Sequence, residues 1–357
     1  MGLEDELAKK YMEKGFPLTA AIELTCWCNL KCIHCYVVKY SQSPEEELST
    51  EEIKNIIDQL AGEKVFTITF TGGEFFLRKD LFTIISYARE NMFDVILYTN
   101  GTLIDSEIVR KIKELHVSSV EISLYGATAL THDKITRTNG SFEKTMNAIR
   151  LLKDSGIKVI LKTIYMKQNF KEYKLIKEMG EKLGILTRPD VYITYKNDGD
   201  SEPAKYRLNR SELFVFLKNV YEKERGTGIW IEEKACIPRE EKESIKERPY
   251  REFCGTGTIQ CAISPIGKVF PCIGMPVEVG DLRKDTFHNI WWTSEKLFEI
   301  RNLRAIDEEC YNCDIANLCG KCMGATFLEG YGLLACSPYD KEIAEMRKEV
   351  IRNETAI

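Results

Sequence analysis

The sequence predicts an α/β fold whose strands run parallel beneath covering helices. Three observations predict it. Apolar, β-rich runs alternate with helix-patterned segments six times between residues 20 and 224. The repeat is roughly 25–40 residues, enough for a strand, a crossover helix and the next strand. Cap and turn residues fall between the runs rather than inside them. Six units are too few for a closed eight-stranded barrel. Periodicity alone leaves a curled partial barrel and an open doubly wound sheet both standing.

In order, residues 1–19 read as a helical lead-in that ends at Pro17. Residues 20–25 form a short apolar strand, and residues 41–47 a polar linker. Ser49 and Glu52 make a capping box for the next helix, which stops near Gly62. Residues 65–70 are β-rich and run into Thr71-Gly72-Gly73-Glu74. Helix over 80–91, strand over 94–99, helix over 105–115 and strand over 118–124 follow. Ser141 caps a helix with Glu143 in its first turn and Gly156 at its close. Strand 157–165, helix 170–183, strand 190–195 and helix 211–224 complete the alternation. Functional groups of such folds gather at the carboxyl ends of the strands. The first cysteine-rich loop, Gly72-Gly73-Glu74, Asn100-Gly101 and Ser123 all fall there.

Composition narrows the class. The 357 residues suffice for one large and one small domain. A net charge of −5 gives no general drive toward nucleic acid or an anionic membrane. No apolar run approaches the ~18 residues of a membrane span. The acidic start lacks a signal-peptide pattern, and Glu6 stands where a myristoylation motif at Gly2 needs Ser or Thr. A cytoplasmic location is the expectation, and there 13 cysteines read as metal ligands before disulfides.

Cys28-Asn29-Leu30-Lys31-Cys32-Ile33-His34-Cys35-Tyr36 carries three cysteines at spacings x3 and x2, with an aromatic residue after the third. Thiolates so close in sequence can converge on one metal centre, and three ligands leave a position open for chemistry. Thiolate donors favour zinc, copper(I) or iron–sulfur clusters. Chance places such a triple in a chain of this cysteine content about 0.02 times. The stretch resembles the signature of the radical S-adenosylmethionine enzymes. That resemblance implies a partial (β/α)6 TIM-like barrel over about residues 18–225. It also implies a catalytic [4Fe–4S] cluster on Cys28, Cys32 and Cys35, with S-adenosylmethionine chelated at the fourth iron. Reductive cleavage to a 5′-deoxyadenosyl radical and hydrogen abstraction from a substrate would follow.

The same resemblance assigns cofactor contacts. Gly72, Gly73 and Glu74 would meet the amino group of S-adenosylmethionine. A carboxylate suits an ammonium, and glycines admit a close backbone approach; an ordinary strand-to-helix turn is the plain alternative. Ser123 would lie near the ribose or carboxylate, and Arg137 would pair with the carboxylate as a guanidinium can. A strand-capping serine and a surface arginine are the plain readings. Tyr36 would offer backbone groups and an apolar face to the adenine. His34 reads as a spacer between ligands, and Asn100 as a turn cap.

Beyond residue 253 the composition changes. Cys254, Cys261, Cys272, Cys310, Cys313, Cys319, Cys322 and Cys336 crowd into the last third of the chain. Two Cys-x2-Cys pairs can hold one tetrahedral zinc; eight thiolates can equally hold two four-ligand clusters. The region resembles the SPASM domain, which implies two auxiliary [4Fe–4S] clusters and three in all. Cys254, Cys261, Cys272 and Cys322 would serve the first, and Cys310, Cys313, Cys319 and Cys336 the second. The expected organisation is a core domain over 18–225, a linker over 226–253 and a small cysteine-rich domain over 254–345. Cys26 reads as a packing residue at a strand end. Cys236 reads as neither ligand nor substrate-facing thiol. Trp291 and Trp292 are expected to pack under the second cluster pair.

The function this implies is oxidative maturation of a ribosomally made peptide or protein, by thioether or carbon–carbon crosslinking or a related oxidation. Expected partners are the precursor peptide and an electron donor such as flavodoxin or ferredoxin. Too few residues precede Cys28 for a fused leader-binding domain, so a separate leader-binding protein or direct capture is expected. Three alternatives stand beside it. Related anaerobic sulfatase maturases carry an aspartate after the cysteine matching Cys272, where this chain has Ile273. Haem-biosynthesis relatives, acting on tetrapyrrole side chains, share the Pro-Cys and Cys-Gly-x-Cys features. A non-enzymatic zinc-ribbon adaptor is the fourth reading, set against the open cysteine triple.

Overall fold

The structure, a computed structural model, describes residues 3–39, 43–224, 254–303 and 312–355. Six parallel strands form its centre: β1 (Thr19–Thr25), β2 (Thr67–Gly72), β3 (Asp94–Thr99), β4 (Ser119–Ser123), β5 (Val159–Ile164) and β6 (Leu186–Asp190). They lie side by side in chain order. A doubly wound sheet reverses its strand order, so sequential order decides for the curled partial barrel.

The helices between them cover the outer face. They are α2 (Thr50–Gly62), α3 (Leu81–Glu90), α4 (Ser106–Glu114), α5 (Ala129–Thr136), α6 (Ser141–Asp154), α7 (Tyr173–Leu183) and α8 (Arg210–Glu224), with α1 (Leu3–Lys14) ahead of β1. Alternation along each strand divides two environments. Ile22, Leu24, Ile68, Phe70, Val95, Leu97, Val120, Ile122 and Leu161 point outward into one continuous core with the helices. Glu23, Thr71, Tyr98, Glu121, Ser123 and Lys162, on the alternate positions, line the inner face. The capping box at α2 is present: Ser49 N–H donates to Glu52 Oε2 at 2.8 Å, and Glu52 N–H to Ser49 Oγ at 3.3 Å.

Three local expectations are corrected. The sixth strand is Leu186–Asp190, not 190–195. Pro189 disguises it, and the position is tolerated because β6 is an edge strand. Helix α5 was not anticipated; Thr128 caps it by accepting from Thr131 N–H at 3.3 Å. Ser141 is the first residue of α6 rather than its cap. Gly140 stands at the cap with φ 77°, and Asp133 supplies the acceptors. Its carboxylate takes Gly140 N–H at 2.6 Å, Phe142 N–H at 2.8 Å and the Ser141 hydroxyl at 2.8 Å.

The C-terminal third continues the same sheet. β7 (Gln260–Ile263) pairs parallel with β1, Cys261 opposite Ala20. β8 (Lys268–Phe270) and β9 (Gly280–Asp281) extend it antiparallel. Helices α9 (Phe287–Thr293), α10 (Glu295–Arg301), α11 (Met323–Leu328) and α12 (Pro338–Thr355) follow. Among the described residues, the tryptophans are not among those packed on Cys313 and Cys319. Trp291 Nε1 donates to Gly15 O at 2.8 Å, Trp292 Nε1 to Glu63 Oε2 at 2.8 Å, and the Trp292 ring meets Phe16 edge-on at 5.7 Å. The pair fastens the C-terminal third to the N-terminal lead-in. The expected linker, residues 226–253, lies outside the described residues. No helix among the described residues is long and apolar enough to cross a membrane.

Candidate active site

The cysteine loop hangs over the carboxyl end of the barrel and is held from four sides. β1 and β2 slip register between Glu23 and Thr25, a bulge that turns the chain out of the sheet. Beyond it, Gly73 N–H donates to Thr25 O at 2.7 Å and Glu74 N–H to Trp27 O at 2.8 Å. From the C-terminus of α5, Thr136 O accepts Lys31 N–H at 3.1 Å and Ile135 O accepts Ile33 N–H at 3.0 Å. The amide of Asn100, after β3, reaches Asn29 Oδ1 at 3.0 Å and Cys28 Sγ at 3.8 Å. After β6, Asn197 N–H donates to Tyr36 O at 3.0 Å.

The glycines are needed because backbone meets backbone. A Cβ on Gly72, whose φ is 120°, would stand 2.4 Å from Thr25 O, and one on Gly73 2.2 Å from Trp27 O. What approaches closely is the chain itself. Glu74 is fully buried, and its carboxylate is hydrogen-bonded to the end of β3. Thr99 Oγ1 lies 2.9 and 2.8 Å from its two oxygens, and Asn100 N–H donates at 2.9 Å. Burial pushes this carboxyl up to about 7, against the hydrogen bonds that pull it down.

Cys28 and Cys35 are exposed and Cys32 half-buried. The mouth of the barrel still removes enough water to push the Cys28 thiol up to about 11 and the other two upward as well. The charges of the cysteines on one another act in the same direction. Three neighbouring thiols that resist ionisation, two with open faces, form a donor set that becomes stable as thiolates when a cationic centre joins them. Among the described residues no group of three ligands closes on a single metal ion; three thiols within one another's field suit a larger centre such as a three-thiolate [4Fe–4S] cluster. Bound there with S-adenosylmethionine, such a cluster supplies hydrogen-atom abstraction from carbon.

Ser123 ends β4 on the inner face and hydrogen-bonds the Tyr125 side chain. Tyr125, which the sequence reading did not single out, is the more intimate neighbour of the loop. Its ring meets His34 edge-on at 4.5 Å, and the charges of Cys32, Cys35 and Cys28 all bear on its hydroxyl. Its period-2 relation to Ser123 was the available signal. His34 is held neutral, lowered to about 4 by burial, as a spacer would be. Asn100 proves to be both turn and loop anchor. Arg137 caps α5 in the left-handed conformation (φ 54°), exposed beside the carbonyls that hold the loop; among the described residues its guanidinium has no ion pair.

In the C-terminal third, Cys254 and Cys272 pack on Met275, Ile300 and Met323. Burial pushes the Cys272 thiol up to about 12, and the charges of Cys322 and Cys254 add to it. A Cβ on Gly324 would meet Gly274 O at 2.1 Å, so the start of α11 presses on the turn after Cys272 and brings Cys322 beside it. Cys322 is thus grouped with Cys254 and Cys272, while Cys313 and Cys319 pack on Ile315, Leu318 and Ala344. A single zinc ribbon does not predict that division. Cys336 Sγ lies 3.7 Å from Ser337 O. Cys261 is buried in β7, 3.9 Å from Thr19 O and within the field of Arg301. Cys310 and Cys236 lie outside the described residues. Cys26 is buried at the end of β1, as expected of a packing residue.

Loop, barrel and donor sets together define a thiolate-ligated iron–sulfur enzyme built on a partial barrel. The radical SAM superfamily model matches residues 22–179, and the SPASM model, an iron–sulfur cluster-binding domain, matches residues 254–314. The AdoMet-dependent heme synthase of Methanosarcina barkeri is 30% identical over 90% of this chain and 96% of its own length. The Fe-coproporphyrin III synthase of the same organism is 41% identical over 83% of this chain and 80% of its own. The antilisterial bacteriocin subtilosin biosynthesis protein AlbA of Bacillus subtilis is 30% identical over 87% and 68%. This chain belongs to the radical SAM superfamily and carries a SPASM domain; it is an enzyme that binds S-adenosylmethionine and iron–sulfur clusters.

Proposed function

We propose that this enzyme oxidises a carboxylate-bearing side chain of a tetrapyrrole. The observation that carries the reading is the likeness to the two Methanosarcina proteins, one spanning nearly its whole length and the other 41% identical. In this reading Cys28, Cys32 and Cys35 hold the catalytic cluster over the lumen. Cys254, Cys261, Cys272 and Cys322 hold a first auxiliary cluster, and Cys310, Cys313, Cys319 and Cys336 a second. Gly72, Gly73, Glu74, Ser123, Arg137 and Tyr36 surround S-adenosylmethionine, and the bonds from Thr99 and Asn100 hold Glu74 in place. The core, linker and C-terminal boundaries stay as 18–225, 226–253 and 254–345. An electron donor such as flavodoxin or ferredoxin supplies electrons.

Peptide maturation is the second reading, favoured by the likeness to AlbA. It would bring a precursor peptide and a separate leader-binding protein as partners. Ile273 speaks against sulfatase maturation.

The test is protein purified without oxygen, assayed for iron, sulfide and S-adenosylmethionine cleavage, then supplied with iron coproporphyrin III. About twelve irons per chain, 5′-deoxyadenosine, and a porphyrin of altered mass are expected. A C28A/C32A/C35A variant loses cleavage and keeps its auxiliary iron. Cleavage with an unchanged porphyrin, but with a modified peptide, transfers the assignment to the second reading. Zinc with little iron sinks both.

A further inference from the structure

One side-chain layer below the cysteine loop, the inner face of the barrel carries a charged group to which no role has yet been assigned. On β3 and β4, Tyr98 and Glu121 lie two residues before Asn100 and Ser123, a step of about 6–7 Å toward the barrel floor. Tyr98 registers opposite Glu121, Ser123 opposite Lys162, and Lys162 opposite Arg188. Tyr98 and Glu121 thus make one row, and Ser123, Lys162 and Arg188 the next row toward the cysteine loop, from which both cations reach back to Glu121.

The two rows are unevenly satisfied. Glu121 is almost wholly buried, its side chain 2% exposed, while Lys162 and Arg188 are 38% and 51% exposed. Arg188 Nη1 donates to Glu121 Oε1 at 2.9 Å. Lys162 Nζ stays 3.5 Å from Oε2, longer than a good charged hydrogen bond, and rests 3.6 Å from the centre of the Tyr98 ring. Among the described residues, no other carboxylate lies within ion-pair distance of either cation. Asp190, the remaining acid on β6 near Lys162, accepts the N–H of Tyr192 at 2.9 Å. One arginine fork and one ammonium thus keep unused donors facing the lumen. Their surroundings are partly desolvated, which strengthens any anion they meet.

We propose that Lys162 and Arg188 form a carboxylate-binding subsite that orients the substrate beneath the cysteine loop. A substrate carboxylate takes the donors that Glu121 leaves over, and Glu121 holds both cations in place and limits their attraction. The subsite rests on the proposed reading for the identity of its natural ligand, not for its chemistry. Two molecules could bring the carboxylate: the substrate, or S-adenosylmethionine itself.

The experiment uses the reconstituted holoenzyme and 1-pyrenebutyrate, a flat aromatic carboxylate, against its methyl amide, with iron coproporphyrin III and S-adenosylmethionine titrated in parallel. The parent is expected to bind the acid and not the amide. K162M and R188Q should each weaken the acid about tenfold or more, with S-adenosylmethionine binding unchanged. E121Q should tighten it, a gain that a folding defect does not produce. Equal affinity of acid and amide, no binding of either, or variants that bind like the parent would overturn the subsite. Loss of S-adenosylmethionine binding with pyrenebutyrate retained would give the cations to the cosubstrate and overturn it too. Binding of pyrenebutyrate without iron coproporphyrin III would leave the subsite standing and remove the tetrapyrrole reading.

Discussion

Gly73 lies directly beneath Trp27: its N–H side is hydrogen-bonded into the start of the cysteine loop, and a Cβ would stand 2.2 Å from the Trp27 carbonyl oxygen. The cysteine loop is thereby fixed to β2 by main-chain contacts that no side chain can replace. G73A is expected to force this contact apart at a cost of about 1–3 kcal/mol. The catalytic cluster should be lost while the auxiliary iron remains. Iron analysis beside the C28A/C32A/C35A variant checks it, and a G73A protein with full iron would refute the assignment.

Asp133 couples two helices to the same loop. Removing its three accepted hydrogen bonds in D133A should cost about 1–2 kcal/mol, the scale of a lost helix cap. The melting temperature should fall, and D133N should recover part of it. Those bonds also hold the Asp133 carboxyl below its usual value, although burial opposes them. Its stabilisation is therefore complete above the unfolded-state pKa and fades as pH falls through the lower folded value. An unchanged melting temperature in D133A would show the cap to be idle.

Glu23 faces the lumen almost fully buried, with Oε1 lacking a hydrogen-bond partner among the described residues. Burial pushes its carboxyl from 4.5 up to about 7. The folded state therefore holds the proton more tightly than the unfolded chain. Stability is greatest below about pH 4.5 as far as this group is concerned, and declines as pH rises toward 7. Glu74 contributes a slope of the same sign. E23Q should flatten its share, of order 3 kcal/mol, in urea unfolding followed between pH 5 and 7.5. A slope identical in parent and variant would contradict it.

Arg301 is a half-buried cation without a carboxylate partner among the described residues. It donates to Gly257 O and Trp291 O at 2.7 Å each and lies 4.4 Å from the Trp291 ring, leaving Nη2 unsatisfied. Its charge bears on Cys261. With a cluster on Cys261, that charge favours the reduced, more negative state. R301Q is expected to lower the potential of the first auxiliary cluster by tens of millivolts, on the order that one nearby charge produces. Redox titration followed by electron paramagnetic resonance measures it; an unshifted potential would remove Arg301 from that role.

The sequence carried most of the frame and part of the site. Strands β1 to β5, the Ser49–Glu52 capping box and the cysteine loop were readable because each is a local pattern. Strand order was not, since periodicity says nothing about neighbours; the sequential pairing in the structure resolved it. Pro189 masked β6, because its tolerance depends on lying at an edge. Asp133 as a cap and the turning of Glu74 toward Thr99 depend on contacts between elements distant in the chain. Tyr125 was concealed by the same limitation: only the folded chain brings its ring to His34. The tryptophan pair was misplaced because proximity in sequence to the cysteines stood in for proximity in space.

β1 is flanked by β2 on one side and by β7 on the other, and β7 begins at Gln260. During synthesis the first strand of the barrel must wait for more than two hundred later residues before its second edge is covered. Until then it presents an unpaired row of amides and carbonyls, the kind of edge on which chains associate wrongly. The distance between β1 and β7 along the chain also makes their closure a slow, late event. The C-terminal third is therefore a completion strand for the nascent barrel as well as a holder of cysteines. Chains cut before residue 260 would be prone to aggregate even with every catalytic cysteine present.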